Sequence, residues 1–204
     1  MPHVERSWLS LGGCAGLGWL LIGACTVVPA APFVVVSNEG LSRAEAADQA
    51  DRRPGPNGID WSRITPRDQG RRRAVMQWLA RGEIRTGQDY FNAAVIMQHG
   101  DSVKDARMAL AFATLAAQLD PARVEARQMT AMSWDRLLED QGQPQWYGTQ
   151  FVRSASSGAW QLYPVQPGAI SEQQRTALAL PSLAEDRAHM EAFNARSKSG
   201  AVGH

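Results

Sequence analysis

Helix-start and helix-stop signals divide the chain from residue 41 onward, and they constrain the fold more than any other feature of the sequence. A serine followed three residues later by Glu or Gln forms a capping box, in which each side chain satisfies the other's free backbone amide. This pattern begins at Ser42, Ser171 and Ser182, and Ser102 with Asp105 is a related start. Repeated starts of this kind predict a chain built mostly of helices.

Prolines and glycines add further boundaries. The pairs Thr65-Pro66 and Asp120-Pro121 place a capping side chain before a proline at the first helical position. Residues that favour helix ends follow at Pro54, Gly82, Gly100 and Gly142. Together these signals predict helices near residues 43–52, 66–81, 87–99, 103–119, 121–141, 172–179 and 183–197.

The predicted fold is mostly α, a compact bundle of helical hairpins with a small β-hairpin near residues 149–163. The helix pair at 103–141 resembles a tetratricopeptide hairpin. No second copy follows at a spacing of about 34 residues, so an extended solenoid is not expected. Two apolar stripes along helix 103–119 predict that it packs on two sides. One stripe consists of Met108, Phe112, Leu115 and Leu119.

The amino-terminal segment has the composition of a signal peptide. No charged side chain lies between Arg6 and Glu39, and residues 8–24 are apolar or small. The segment ends in Leu21-Ile22-Gly23-Ala24-Cys25, which resembles the bacterial lipobox. The resemblance implies that the Cys25 thiol is fatty-acylated and that cleavage before it creates a lipid-bearing N-terminus. The chain then divides into a signal peptide (1–24), a lipidated cysteine and tether with a short helix (25–58), a helical domain (59–197) and a flexible tail (198–204).

These features predict a protein of the cell envelope, anchored to a membrane through its lipid. Several acyl chains together hold a protein firmly on a bilayer. Thr26 stands where many inner-membrane lipoproteins carry Asp, so the outer membrane, facing the periplasm, is favoured. Three alternatives stay open: cleavage near residues 28–30 to release a soluble protein, an uncleaved membrane helix at 8–28, and an earlier lipobox-like segment at 11–14.

Composition excludes several classes of function. A formal net charge of +1 does not favour a nucleic-acid partner. The sequence contains no phosphate-binding glycine loop, dinucleotide fingerprint or Gly-x-Ser-x-Gly elbow, so no cofactor is expected. No metal site is expected, because the side chains of His189 and Glu191 diverge on a helix. A processed chain would hold no cysteine besides Cys25, and therefore no internal disulfide.

Two titratable residues are candidates for catalysis. Asp135 falls on the apolar face of helix 121–141, where an unpaired carboxylate is costly. It forms either a structural bond to an arginine or to backbone, or part of an active site. His99 ends helix 87–99, where the helix dipole favours a histidine, and it is alternatively a general acid or base.

Five polar residues are candidates for ligand binding: Gln98, Arg136, Gln145, Tyr147 and Gln150. Three of them lie in segment 142–150, which is crowded with amides, aromatics and turn formers. Such a loop either binds a ligand or fixes a hairpin onto the helices.

Four polar motifs along the chain resemble the bacterial family called domain of unknown function 6624. They are Asp68-Gln69-x-x-Arg72, Gln98-His99, Asp135-Arg136 and Gly142-x-x-Gln145-x-Tyr147-Gly148-Thr149-Gln150. Arg175 and Leu180-Pro181 fit the end of the pattern, and the similarity covers residues 60–195. The family brings no established activity. The resemblance implies only that these polar positions form a recurring signature.

Two functions follow as hypotheses. The first is a non-catalytic envelope lipoprotein whose helical domain binds a protein or peptide. The second is an envelope hydrolase with His99 as acid or base, Asp135 as its orienting carboxylate, and Gln98, Tyr147 and Gln150 as substrate contacts. A small-ligand sensor using the same residues is a further alternative. The oligomeric state does not follow from the sequence.

Overall fold

The computed structural model of the protein describes residues 35–54 and 59–200, without the side chains of 197–200. The predicted signal peptide, Cys25 and most of the predicted tether lie outside the described residues. The elements are α1 (Glu39–Asp51), α2 (Trp61–Ala80), α3 (Gly87–Gln98), α4 (Val103–Leu119), α5 (Val124–Asp140), β1 (Phe151–Arg153), β2 (Trp160–Leu162), α6 (Glu172–Ala177) and α7 (Leu183–Gly200). The predicted fold, mostly α with a small β-hairpin, is confirmed.

Helices α3, α4 and α5 pack in sequence and form the centre of the bundle. Ala93, Ala109 and Ala113 are fully buried at this centre, and their small side chains let the helices approach closely. Phe112 fills the space between them, and Tyr90 stacks obliquely on its ring at 6.0 Å. The predicted helix pair at 103–141 is therefore present as α4 and α5.

Helix α1 is part of this bundle, a point that the sequence left open. Leu41 is fully buried and belongs to the same core cluster as Val75 of α2 and Ala93 of α3. The helix starts earlier than predicted, because Asn38 accepts the Leu41 amide through its side chain. Ser42, the predicted cap, lies inside α1 and bonds the carbonyl of Asn38 instead.

Two proline-based helix starts are wrong. Helix α2 begins at Trp61, because Asp60 accepts both the backbone and side-chain donors of Ser62. Pro66 therefore lies inside the helix. Similarly, Asp120 ends α4, and a turn separates it from the start of α5 at Val124. At Thr65-Pro66, the cap formed by Asp60 starts the helix earlier. At Asp120-Pro121, the end of α4 occupies the predicted cap.

The other serine caps form as predicted. Ser171 with Gln174 is a complete capping box, Ser182 and Glu185 exchange the same two bonds, and the Ser102 hydroxyl accepts the next-turn amide. A further box, Thr86 with Asp89, begins α3 and was not predicted.

None of the described helices combines the length and apolar character needed to cross a membrane.

The hairpin pairs β1 with β2 in antiparallel register, with Phe151 opposite Leu162 and Arg153 opposite Trp160. Helix α7 fixes this hairpin, because Asn194 accepts the Trp160 amide at 2.9 Å and donates to its carbonyl at 2.7 Å. The backbone N–H and C=O of Trp160 thus attach the hairpin to α7.

Candidate functional site

His99 ends α3 and is oriented by a carboxylate on another helix. Its Nδ1 lies 2.8 Å from Oδ2 of Asp48, which is fully buried on α1. With Nδ1 engaged, Nε2 is the nitrogen left for a ligand, and within residues 35–54 and 59–200 it makes no hydrogen bond. The sequence did not identify Asp48. A signal was present, since Asp48 follows the buried Leu41 by two helical turns and shares its face.

A network of ion pairs joins α1 to α2 beneath this histidine. Arg52 donates to Asp48 at 2.8 Å and forms a two-pronged pair with Asp68 at 2.6 and 3.3 Å. Arg71 donates to Asp68 at 2.8 Å and to Asp51. Both buried carboxylates are therefore paired with cations, which offsets the cost of removing them from water.

Two cavities share Gln98 and His99 as lining residues. The first, the polar cavity, has a volume of about 310 Å³. Its lining residues are Arg52, Trp61, Thr65, Asp68, Arg72, Gln98, His99, Gly100, Asp101 and Arg136. The second, the apolar cavity, has a volume of about 250 Å³. It is lined by Glu45, Gln49, Phe91, Val95, Gln98, His99, Met129 and Met132.

Gln98 has an unused acceptor at this shared wall. Its Nε2 donates to the carbonyl of Met132 at 3.3 Å, but its Oε1 is buried and has no hydrogen-bond partner among the described residues. A buried acceptor without a donor costs about 1–3 kcal/mol. A ligand that supplies an N–H or O–H would remove that cost.

Arg136 adds a donor to the polar cavity. Its Nε bonds Asp140 at 3.2 Å and its Nη2 reaches the carbonyl of Gly100 at 3.4 Å, while Nη1 makes no hydrogen bond in the described part of the chain. Arg136 does not pair with Asp135. Of the predicted site residues, Gln98, His99 and Arg136 therefore line one cavity together.

Asp135 lies elsewhere and holds a loop. The fully buried carboxylate accepts the backbone amides of Trp146 at 2.8 Å, Tyr147 at 2.9 Å and Thr149 at 3.0 Å, and the Thr149 hydroxyl at 2.9 Å. It has no bond to His99 and does not line either cavity. Of the two alternatives drawn from the sequence, the geometry corresponds to the structural bond to backbone.

The predicted binding residues Gln145 and Gln150 also hold this loop. Buried Gln145 donates to the carbonyls of Gln150 and Tyr163 at 3.0 and 2.7 Å and accepts the Gln150 amide at 2.8 Å. Gln150 donates to Met132 at 3.1 Å. Burial and the charge of Asp135 raise the pKa of Tyr147, so its hydroxyl stays protonated. These three residues lie outside the two cavities.

Gly148 shows why the loop needs a glycine. Its φ is +72°, a backbone conformation that residues with a side chain rarely adopt, and an added Cβ would lie 2.4 Å from Leu183.

Nearby, buried Arg175 donates to the carbonyl of Pro181 at 2.8 Å and to Asp186 at 2.5 Å, joining α6 to α7. The later part of the polar signature therefore specifies structure.

No group of three or more His, Cys, Asp or Glu side chains suited to a metal ion occurs within the described ranges.

Comparison with family models, curated proteins and solved structures finds no match to this chain, so the resemblance to domain of unknown function 6624 stays a prediction.

Proposed function

We propose that this chain is a membrane-anchored envelope lipoprotein whose helical domain binds a peptide at the two cavities that meet at Gln98 and His99. The observation that supports this most directly is the buried Oε1 of Gln98, for which residues 35–54 and 59–200 supply no hydrogen-bond donor. A peptide bond offers both an N–H for that oxygen and a carbonyl for the free donor of Arg136.

The pairing of a polar with an apolar cavity fits a peptide better than a small ion. Met129, Met132 and Phe91 line the second cavity, and methionines adapt to side chains of different shape. An apolar side chain would enter that cavity while its backbone amide bonds at the wall. Trp61, which is 57% exposed at the polar cavity, provides a flat surface for the next residue.

Titration of acetylated, amidated tripeptides Ala-X-Ala tests the site. With X as Leu, Met or Phe, we expect saturable chemical-shift changes at the Gln98 side-chain amide. With X as Asp, we expect none. The substitution Gln98→Leu removes the free acceptor, so binding should weaken at least tenfold, as expected for about 1.4 kcal/mol or more.

A matched control separates binding from folding. Gln141→Leu alters an exposed glutamine that lines neither cavity, and should leave peptide binding unchanged. Gln98→Leu should change the free energy of unfolding by less than about 1 kcal/mol, because a lost hydrogen bond is balanced by removal of an unpaired acceptor. Equal affinity of Gln98→Leu and Gln141→Leu for the tripeptides would contradict the proposed peptide site at Gln98.

The lipid anchor is tested separately at Cys25. The intact protein should sediment with outer-membrane vesicles, and its amino-terminal peptide should have the mass of an acylated cysteine. Cys25→Ser cannot be acylated and should lose both properties. An unmodified thiol at Cys25 in the native protein would contradict the lipoprotein assignment.

Hydrolysis is a second candidate function, and the contact between His99 and Asp48 favours it. A carboxylate on Nδ1 leaves Nε2 to take a proton from water, the arrangement of a general base with an orienting group. The proton taken by Nε2 then passes to the leaving amine. Burial and the charge of Asp48 raise the pKa of Glu45, which lines the apolar cavity with His99. Asp48 replaces Asp135 in this hypothesis.

Mass spectrometry of the same tripeptides distinguishes hydrolysis from binding. If the hydrolase hypothesis holds, the protein releases fragments with one added water, and His99→Gln stops this while still binding peptide. Intact peptides after prolonged incubation would eliminate hydrolysis of this class of substrate and leave the binding proposal unaffected.

A further inference from the structure

A third concave surface lies between α2, α3 and α4; it shares Arg72 with the polar cavity and no lining residue with the apolar cavity. This methionine groove has a volume of about 500 Å³. Its lining residues are Gln69, Arg72, Arg73, Met76, Gln77, Met97, Lys104, Asp105 and Met108. Three methionines give it an adaptable apolar floor, a composition found at surfaces that accept varied partner side chains.

The apolar surface continues along α4. Leu115 is 43% exposed and Leu119 is 55% exposed, and both lie within about 20° of Met108 around the helix. Their predicted packing is therefore wrong, whereas in the same stripe Phe112 lies in the core and Met108 packs against it. The exposed part forms a ridge from Met108 to Leu119 that no described element covers.

The rim of the groove is positively charged. Arg73 and Lys104 are exposed, and neither pairs with a carboxylate in the described part of the chain. Asp105, the one carboxylate among the described lining residues, accepts the Ser102 hydroxyl at 2.7 Å and lies 3.7 Å from Arg72. Two cations are thus left to interact with an occupant.

From this geometry we infer that the methionine groove and the α4 ridge dock an acidic amphipathic helix of a partner protein. An amphipathic helix presents apolar side chains every three or four residues, which matches a groove and ridge along α4. The distance from Lys104 to Leu119 along the helix is about 22 Å, so about four turns of a partner helix would span it. Acidic residues on its flanks would pair with Arg73 and Lys104.

The test uses the full chain in nanodiscs of uncharged lipid and a labelled helical peptide of four turns with a leucine stripe flanked by glutamates. A second peptide has lysine at each glutamate position. We expect fluorescence anisotropy to show binding of the acidic peptide at least tenfold tighter than the basic one. Empty nanodiscs measure the binding of each peptide to lipid.

Charge reversal provides the sharper result. Arg73→Glu with Lys104→Glu should weaken the acidic peptide at least tenfold and strengthen the basic one, while Leu115→Asp should weaken both. Arg43→Glu, a reversal on exposed α1 away from the groove, is the control and should change neither. Circular dichroism confirms that each variant is folded.

Several outcomes would overturn the inference. Equal affinity for both peptides, absence of binding, or binding no stronger than to empty nanodiscs would each do so. A concentration-dependent dimer abolished by Leu115→Asp would instead assign the surface to a second copy of this chain. Because these substitutions avoid Gln98 and His99, failure here leaves the proposed peptide cavities to be judged on their own test.

Discussion

At the scale of single residues, buried carboxylates hold segments of this protein together through backbone amides. Asp135 accepts three backbone amides of the loop. Asp89 accepts the amides of Asn38, Arg85 and Thr86 at 2.7, 3.0 and 3.0 Å. A carboxylate that accepts several N–H groups compensates for its own burial and satisfies donors that would otherwise be unpaired. Removing one such charge should therefore affect stability more than function.

Replacement of Asp135 by Asn tests this expectation. An amide nitrogen in place of one oxygen cannot accept a backbone N–H, so the amide of either Trp146 or Thr149 is left unpaired. We expect the free energy of unfolding to fall by about 2 to 3 kcal/mol. Urea denaturation measures it. Asp101→Asn, at an exposed aspartate, is the control and should cost less than about 0.5 kcal/mol.

The negative charge of Glu45 lowers the stability of the fold, in contrast to the charge of Asp135. Burial, followed by the negative charge of Asp48, raises its pKa, so the folded chain holds this proton more tightly than the unfolded chain does. This contribution is present at low pH and is lost as the pH rises through the raised pKa. Glu45→Gln should therefore stabilise the fold at about pH 7 by less than about 1 kcal/mol, because solvent screens a half-buried group.

The pH dependence distinguishes this effect from a packing change. At about pH 3.5, where an ordinary glutamate is largely protonated, the difference between Glu45→Gln and the native chain should shrink toward zero. Glu39→Gln, at an exposed position on the same helix, removes an ion pair with Arg43 and should not stabilise the fold at about pH 7. A gain for Glu45→Gln that is the same at both pH values would contradict the explanation.

At the scale of elements, residues close in sequence predicted most helices. The candidate site was not predicted in full, because it depends on contacts between residues far apart in sequence. The boxes at Ser171 and Ser182 form because both partners lie within one turn. Thr65-Pro66 and Asp120-Pro121 failed because Asp60 and the end of α4 compete for the same residues. The candidate site depends on His99 meeting Asp48, which is 51 residues away, and no local pattern specifies that contact.

The packing of α1 gives an element-scale prediction. Leu41→Ala removes a fully buried side chain from the core cluster and should lower the free energy of unfolding by about 2 to 4 kcal/mol. Urea denaturation monitored at 222 nm measures this change. Leu119→Ala makes the same chemical change at an exposed site and should cost less than about 1 kcal/mol. Similar losses in the two variants would mean that α1 does not belong to the core.

The whole molecule depends on α1 for charge as well as for packing. Arg52, which directly follows this helix, pairs with Asp68 of α2, and Asp48 orients His99 at the end of α3. A helical domain that begins at residue 59, as the sequence analysis predicts, would lack both Arg52 and Asp48. The remaining chain would keep the pair of Asp68 with Arg71, but Asp68 would lose its second cation and His99 would lose its carboxylate partner.

Two truncated chains test where the folded unit begins. A chain of residues 35–204 retains α1, and we expect it to unfold in one cooperative transition. A chain of residues 59–204 loses Leu41 from the core, one of the two cations paired with Asp68, and the partner of His99. Its free energy of unfolding should be lower by more than about 2 kcal/mol, because the core loses the fully buried side chain of Leu41. Equal unfolding midpoints in urea for both chains would show that the domain folds without α1, and His99 would then lack the carboxylate that orients it for either proposed function.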